Sequence, residues 1–349
     1  MMLNLYILFF IICILLTQSK VKNKDLFLFV ACAVLAIGIG WRDLEWNDTA
    51  GYKIFFEQYT NDLINYSFSD KPFGYSEKGF YFLGVLAKTF TDDYRVYFLF
   101  IGALSMFFLY KDLKKYSLFP LLGLCAYLAR FFMGRNLVQI RAGLAYLIII
   151  WGIKYIHEKK MWHYILLVWI ASLLHFSAWI ALPLYFIHNW LPINKKTILV
   201  GLGIAFILGA FFQGPISAFV TDQAYDLNIA TTYVQDSYIT RAKGLANPMI
   251  YFQCFLLLVY TFLEKKMAPI NQYYYVIRDG YFYSTLILIT FCSFTALSGR
   301  TSTMFATLEF SIIPSLVYLF DKKERVAALF LMGIALSAIF YMNIPHIFR

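Results

Sequence analysis

The residues in this chain best suited to chemistry are arginines. Arg42, Arg135, Arg141, Arg241 and Arg300 stand at or near the ends of long apolar segments, and Arg130 lies deeper in one. Lysines follow a different pattern and gather in short runs that close apolar segments, at 20–24, 111–115, 157–160, 195–196, 265–266 and 322–325. A guanidinium is a planar fork of donors that takes carboxylate or phosphate through charge-assisted, often bidentate bonds. An arginine cluster confined to one side of a membrane therefore suits an anionic substrate, such as a pyrophosphate at the interface. For each arginine singly, the competing reading is snorkelling of the side chain to the interface. One held inside a span is costly and needs a partner or a water-filled cavity.

Arg135 and Arg141 are six residues apart, about 240° around a helix that turns about 100° per residue, so they need not share a face. This spacing puts Arg135 on a loop and Arg141 one to two turns into the following helix. Gly134, Gly143 and Gly299 beside these groups would permit close approach. His175 sits in the apolar run LLHFSAW, where a histidine is either a hydrogen-bonded packing residue or a base or donor, with Ser177 in support. No second histidine and acid are spaced for a nucleophilic triad, and no HExxH or cysteine pair points to a metal, so neither metal nor cofactor is expected.

The polar stretch 42–78 carries Asp43, Glu45, Asp48, Asp62, Asp70 and Glu77. They make a solvated acidic surface, or one of them activates a sugar hydroxyl as a general base. Asp48 and Glu77 are the best placed, each just before an aromatic or apolar helical stretch. Tyr52, Tyr59, Tyr225, Tyr233 and Tyr238 suit stacking on sugar rings and equally suit an interfacial belt.

The elements that must hold these groups are membrane helices. The chain of 349 residues is 61% hydrophobic and 14% charged, with a mean hydropathy of +0.64, far too apolar for a soluble domain. Its segments are continuously apolar and not alternating, so they read as helices crossing a hydrocarbon core about 30 Å thick. Spans are expected at 3–17, 26–41, 94–110, 118–133, 137–156, 197–213, 248–263, 278–297, 303–320 and 326–343. The piece 79–90 is short and reads as a re-entrant or interfacial helix. The segment 163–190 reads as a broken pair of short helices with its turn near His175, a single tilted span being the alternative. The fold class is an all-α polytopic membrane protein of ten to twelve transmembrane helices in a single integral membrane domain, 1–349.

The formal charge of +10 lies in lysines that flank spans, so the positive-inside rule explains it and nucleic acid is not an expected partner. With every lysine-rich turn in the cytoplasm, both termini and the loops 42–93 and 214–245 face outward, on the side of the arginines. The N-terminus reads as a first span and not a removed signal. The five cysteines all fall in apolar segments and read as small core hydrophobes.

In WRDLEWNDTAGYKIFF, YSEKGFYFLGVLAKTF, RNLVQIRAGLAYLIII, LLHFSAWIALPLYF and SGRTSTMFATLEFSIIP the chain resembles the EpsG-like, Wzy-type family of bacterial polysaccharide polymerases. The pattern appears as Arg42 with Asp48 and Tyr52, Glu77 ahead of a helix, Arg141 opening another, His175 followed by serine, and Arg300 ahead of a span ending near Pro314. Where the family reads RQ or RQG at Arg141 this chain has RAG, and Trp46 stands where a glycine is common. The resemblance implies a GT-C-like membrane glycosyltransferase of the bacterial inner membrane, multi-pass, its active site facing the periplasm or exterior. A growing glycan on undecaprenyl pyrophosphate would pass to a lipid-linked repeat unit, without a metal. It implies Arg141 and Arg300 on the pyrophosphate with Arg135 in support, His175 on acceptor or phosphate, and Asp48 or Glu77 as base; Arg42, Arg241 and Ser177 complete the expected substrate contacts. Donor and acceptor lipids are the expected partners, with room for a chain-length regulator. The rival readings are a lipid-linked oligosaccharide flippase or transporter, an O-antigen ligase and a membrane acyltransferase. A transporter should show repeated halves, and no internal repeat stands out.

Overall fold

The computed structural model describes residues 2–19, 23–67, 77–226, 243–321 and 323–345, and among these every regular element is helical. By length and apolarity, four helices among the described residues can cross a membrane: Tyr94–Tyr116, Pro120–Val138, Ile140–His157 and Arg325–Asn343. The number rises to six if each of two bent helix pairs is one span. Met2–Gln18, Met161–Ser172 and Pro248–Phe262 are shorter apolar helices. The protein is thus a polytopic, all-α membrane protein. The sequence count of ten to twelve is not reached on these criteria, because several helices, such as Met2–Gln18, Lys24–Gly40 and Pro248–Phe262, are short and breaks divide other apolar runs.

The chain forms two compact units. The first comprises residues 1–152, 162–179 and 309–349. It holds α1 (Met2–Gln18), α2 (Lys24–Gly40), α3 (Thr49–Tyr59), α4 (Lys78–Lys88), α5 (Tyr94–Tyr116) and α6 (Pro120–Tyr127). It also holds most of α7 (Ile140–His157) and α8 (Met161–Ser172). The polar stretch after α2 thus contains a helix, α3, where a helical stretch is expected after Asp48. Its buried positions Thr49, Tyr52, Phe55 and Phe56 recur at helical spacing. Asp93 caps α5 by accepting the Arg95 N–H at 2.8 Å, and Lys114 and Lys115 in its last turn oppose the helix dipole.

The loop expected between spans 118–133 and 137–156 is absent. Instead α6 runs on as a π-helix, Leu128–Val138, and only Gln139 separates it from α7. A π-helix carries an extra residue per turn, leaves carbonyls poorly matched and occurs often at functional sites. Here Asn343 donates to the Ala129 carbonyl at 2.8 Å, and Tyr127 donates to the Asn136 side chain at 2.7 Å. The arginine expected deep in this span finds its partner. Arg130 Nε lies 3.2 Å from the fully buried Glu309 carboxylate. The break expected near His175 is also present: α8 ends at Ser172 and a 3₁₀ segment begins at Phe176.

The second unit comprises residues 153–161 and 180–308. The helices here are α9 (Leu182–Trp190), α10 (Lys195–Phe211), α11 (Gln213–Asp226), α12 (Pro248–Phe262), the short α13 (Glu264–Met267), α14 (Tyr274–Thr290) and α15 (Thr295–Ala306). α14 is central, packed on α9, α10, α12 and α15. Buried Arg278 on α14 bonds Asp279 and the Ile193 carbonyl, and the other oxygen of Asp279 meets His188 at 2.7 Å. α10 and α11 meet at 85°, where Gln213 donates to the Thr290 carbonyl. The first unit resumes with α16 (Glu309–Ser315) and α17 (Arg325–Asn343). The five cysteines are free and buried, as their apolar settings predict.

Breaking one side of a buried ion pair strands the other charge. Glu309→Leu is expected to cost about 3–5 kcal/mol, seen as a lower thermal midpoint in detergent. Adding Arg130→Met should recover most of it, and a double variant as unstable as the single one contradicts the pairing.

Candidate functional site

Apart from Asp48, the expected site residues that the first unit holds take part in short contacts. α3 supplies two of the links. Thr49 and Tyr52 are three residues apart and share a face. Thr49 Oγ1 accepts from Arg42 Nε at 3.1 Å, and Tyr52 Oη accepts from Arg141 Nε at 3.3 Å. Arg42 is buried, stacks on the Phe98 ring at 3.8 Å and donates to the Ile39 carbonyl. Burial draws its pKa down to about 10, so it keeps its charge at neutral pH. Burial pushes the Tyr52 hydroxyl up; Arg141 pulls it down, and Asp48 and Glu77 add to the rise. It remains a neutral phenol.

Arg141 opens α7 as its second residue, closer to the helix start than its spacing suggested. Its Nη1 pairs with Glu77 Oε2 at 2.5 Å. The other carboxylate oxygen of Glu77 accepts the Phe176 N–H at 3.0 Å. Glu77 immediately precedes α4, whose second and third N–H groups, of Gly79 and Phe80, bond the Leu173 carbonyl at 2.9 and 3.1 Å. A side chain at Gly79 would put a Cβ 2.7 Å from that of Leu173, so the two backbones meet only because this residue is glycine. The turn carrying His175 is thereby fixed against α4 and, through Glu77, to Arg141.

Within that turn, His175 Nδ1 lies 2.6 Å from Ser177 Oγ, and Ser177 Oγ lies 2.6 Å from the Tyr146 hydroxyl. Arg135 sits over the Tyr146 ring at 4.6 Å and donates to Gln139 at 2.5 Å. It is buried in the π-helix and not on a loop. Gly143 on α7 faces it so closely that a Cβ there would run into the Arg135 carbonyl, whereas Gly134 and Gly299 border open space. Of the three glycines singled out for close approach, Gly143 alone has that geometry.

Asp48 stands just before α3 with φ of 64°, in the left-handed region that aspartate tolerates better than most residues. Its carboxylate is exposed and makes no capping bond. Arg300 lies mid-helix in α15, half-buried, in the second unit. Arg241, Asp70, Tyr233 and Tyr238 lie outside the described residues, as does the side chain of Tyr225. Among the described residues, no three His, Cys, Asp or Glu side chains gather as a metal site.

Sequence reasoning missed Tyr146, Gln139 and the ion pairs of Glu309 and Asp279. The last two carried a signal, a charge inside an apolar run. Tyr146 carried none, since an aromatic in such a run reads as core.

Comparison with known proteins places this geometry in context. A family model described as the EpsG family matches residues 25–347. The "Amylovoran biosynthesis protein AmsC" of Erwinia amylovora is 24% identical over 330 residues, covering 86% of this chain and 82% of that protein. No solved structure matches the chain.

The contact at Gly143 separates two substitutions of equal size. Gly143→Ala should push the π-helix away and lower both thermal stability and activity, while Gly134→Ala should leave both near wild type. Equal behaviour of the two in a melting assay contradicts the close approach.

Proposed function

The chain belongs to the EpsG family, and from that premise we propose that it polymerises undecaprenyl-pyrophosphate-linked oligosaccharide repeat units. The reaction is glycosyl transfer at the outer face of the bacterial inner membrane. A polysaccharide role is supported by the biosynthetic name of the Erwinia relative. The proposed architecture is a GT-C-like bundle of ten to twelve crossings, in which the broken helices around His175 count as a pair.

The observation that carries this reading is the Arg141–Glu77–Phe176 link, which fixes a cationic group beside the histidine turn. In the proposed reaction an acceptor sugar hydroxyl attacks the anomeric carbon of the donor glycan. The bond from that carbon to the pyrophosphate breaks, and the lipid pyrophosphate leaves with the bonding electrons. Negative charge grows on the leaving oxygen, and fixed guanidinium groups aimed there lower the barrier. Arg141 and Arg300 take the pyrophosphate, with Arg42, Arg135 and Arg241 in support, and the reaction needs no metal.

The hydroxyl proton goes to a carboxylate. Glu77 has one oxygen committed to Arg141 and the other to the Phe176 N–H, which suits positioning. Asp48 is exposed beside Tyr52, and we assign the base to it.

Cells carrying Arg141→Ala or Arg300→Ala should lose long glycan chains while single repeat units still reach the outer leaflet and accumulate. Retention of those units in the inner leaflet supports transport instead. Asp48→Asn should lower kcat about 10²- to 10⁴-fold with a smaller change in KM, in an assay of purified protein. An unchanged kcat removes Asp48 from the role of base.

A further inference from the structure

His175 can serve a reaction as a base or as a donor, and the residues around it distinguish the two. The Ser177 backbone N–H lies 3.3 Å from His175 Nδ1. A backbone N–H can only donate. Nδ1 therefore offers its lone pair, since a proton on Nδ1 would face another N–H. The Ser177 hydroxyl, 2.6 Å from the same nitrogen, then donates to it as well. With its proton so used, Ser177 Oγ accepts from the Tyr146 hydroxyl 2.6 Å away. A neutral imidazole with Nδ1 unprotonated carries its proton on Nε2.

The relay is itself held in place. The Tyr146 ring meets the His175 ring edge-on at 6.2 Å, and the Arg135 guanidinium stacks on it at 4.6 Å. Arg135 is anchored by Gln139 and backed by Gly143. Ser177 lies on the 3₁₀ segment Phe176–Ala181, whose first N–H bonds Glu77. Tyr146 and Ser177 thus approach His175 from two separately fixed elements.

We propose that Tyr146, acting through Ser177, is a positioning residue that holds His175 as the neutral Nε2–H tautomer, so that His175 works as a hydrogen-bond donor and not as a general base. The tautomer follows from the contacts alone. The donor's target, an oxygen of the glycan or of the pyrophosphate, rests on the glycosyl-transfer reading.

The test is ¹⁵N NMR of histidine-labelled full-length protein in nanodiscs, with the His175 signals assigned by their loss in His175→Gln. At neutral pH the wild type should show an unprotonated Nδ1 and a protonated Nε2. Tyr146→Phe keeps the ring beneath Arg135 and removes only the hydroxyl. This variant and Ser177→Ala both keep the Ser177 N–H, so the Nε2–H tautomer should persist while the Nδ1 resonance shifts. The shift should be larger for Ser177→Ala, which loses the hydroxyl bonded to Nδ1, than for Tyr146→Phe. A wild-type ring protonated at Nδ1, or one unmoved by both substitutions, overturns the proposal. Polymerisation supplies the second arm. His175→Gln keeps an N–H donor near the Nε2 position and should retain activity about tenfold above His175→Ala. Equal loss in both overturns the donor role. Normal polymerisation by every His175 variant, with the tautomer as described, overturns the functional reading of the site while leaving the tautomer standing.

Discussion

One carboxylate organises the first unit. Glu77 gives one oxygen to the Arg141 guanidinium and the other to the Phe176 N–H, and both partners are distant in sequence. Neither link would hold well alone. A half-buried arginine with no counter-charge is expensive, and a helix break with unbonded N–H groups is expensive too. Placed between them, Glu77 meets both costs with one side chain. It also couples the orientation of Arg141 to that of the turn bearing His175. The guanidinium has five donors in one plane, so a cation held this way can serve Tyr52, Glu77 and an incoming anion together.

The interior shows the same economy elsewhere. Arg130 and Glu309 form a pair inside apolar surroundings, and Arg278, Asp279 and His188 form a chain in the second unit. A charge that would be prohibitive singly is tolerated in each case because it has a fixed partner, from another helix for Arg130 and for Asp279 through His188, and from the next residue for Arg278. The π-helix belongs to this scheme. Its irregular turns carry both Arg130 and Arg135, and side chains of Tyr127 and Asn343 bond to it. A regular helix would aim these two arginines differently, since their separation of five residues matches no single turn of 3.6.

What was legible in the sequence follows the range of the interactions involved. The apolar runs, the break near His175 and the need of Arg130 for a partner are local properties of composition and spacing, and each has its counterpart in the structure. The pairing of Glu77 with Arg141 joins positions 64 apart, and no periodicity announces it. The same is true of Tyr146 and Ser177. Spacing to Arg141 places Arg135 on a loop between two spans, whereas the segment stays helical through bonds from elsewhere in the fold, such as that of Asn343. The helical stretch after Asp48 is legible as well, and α3 occupies it, its buried face at ordinary helical spacing.

In the proposed reaction Glu77 and Arg141 would act as one device, since their side chains are bonded to each other. A double-mutant cycle with Glu77→Gln and Arg141→Gln tests it most directly, measured as kcat/KM for release of the lipid pyrophosphate by purified protein. If the two act together, the double variant should be no worse than the more damaging single one. Losses that multiply, as for two independent sites, would contradict the account.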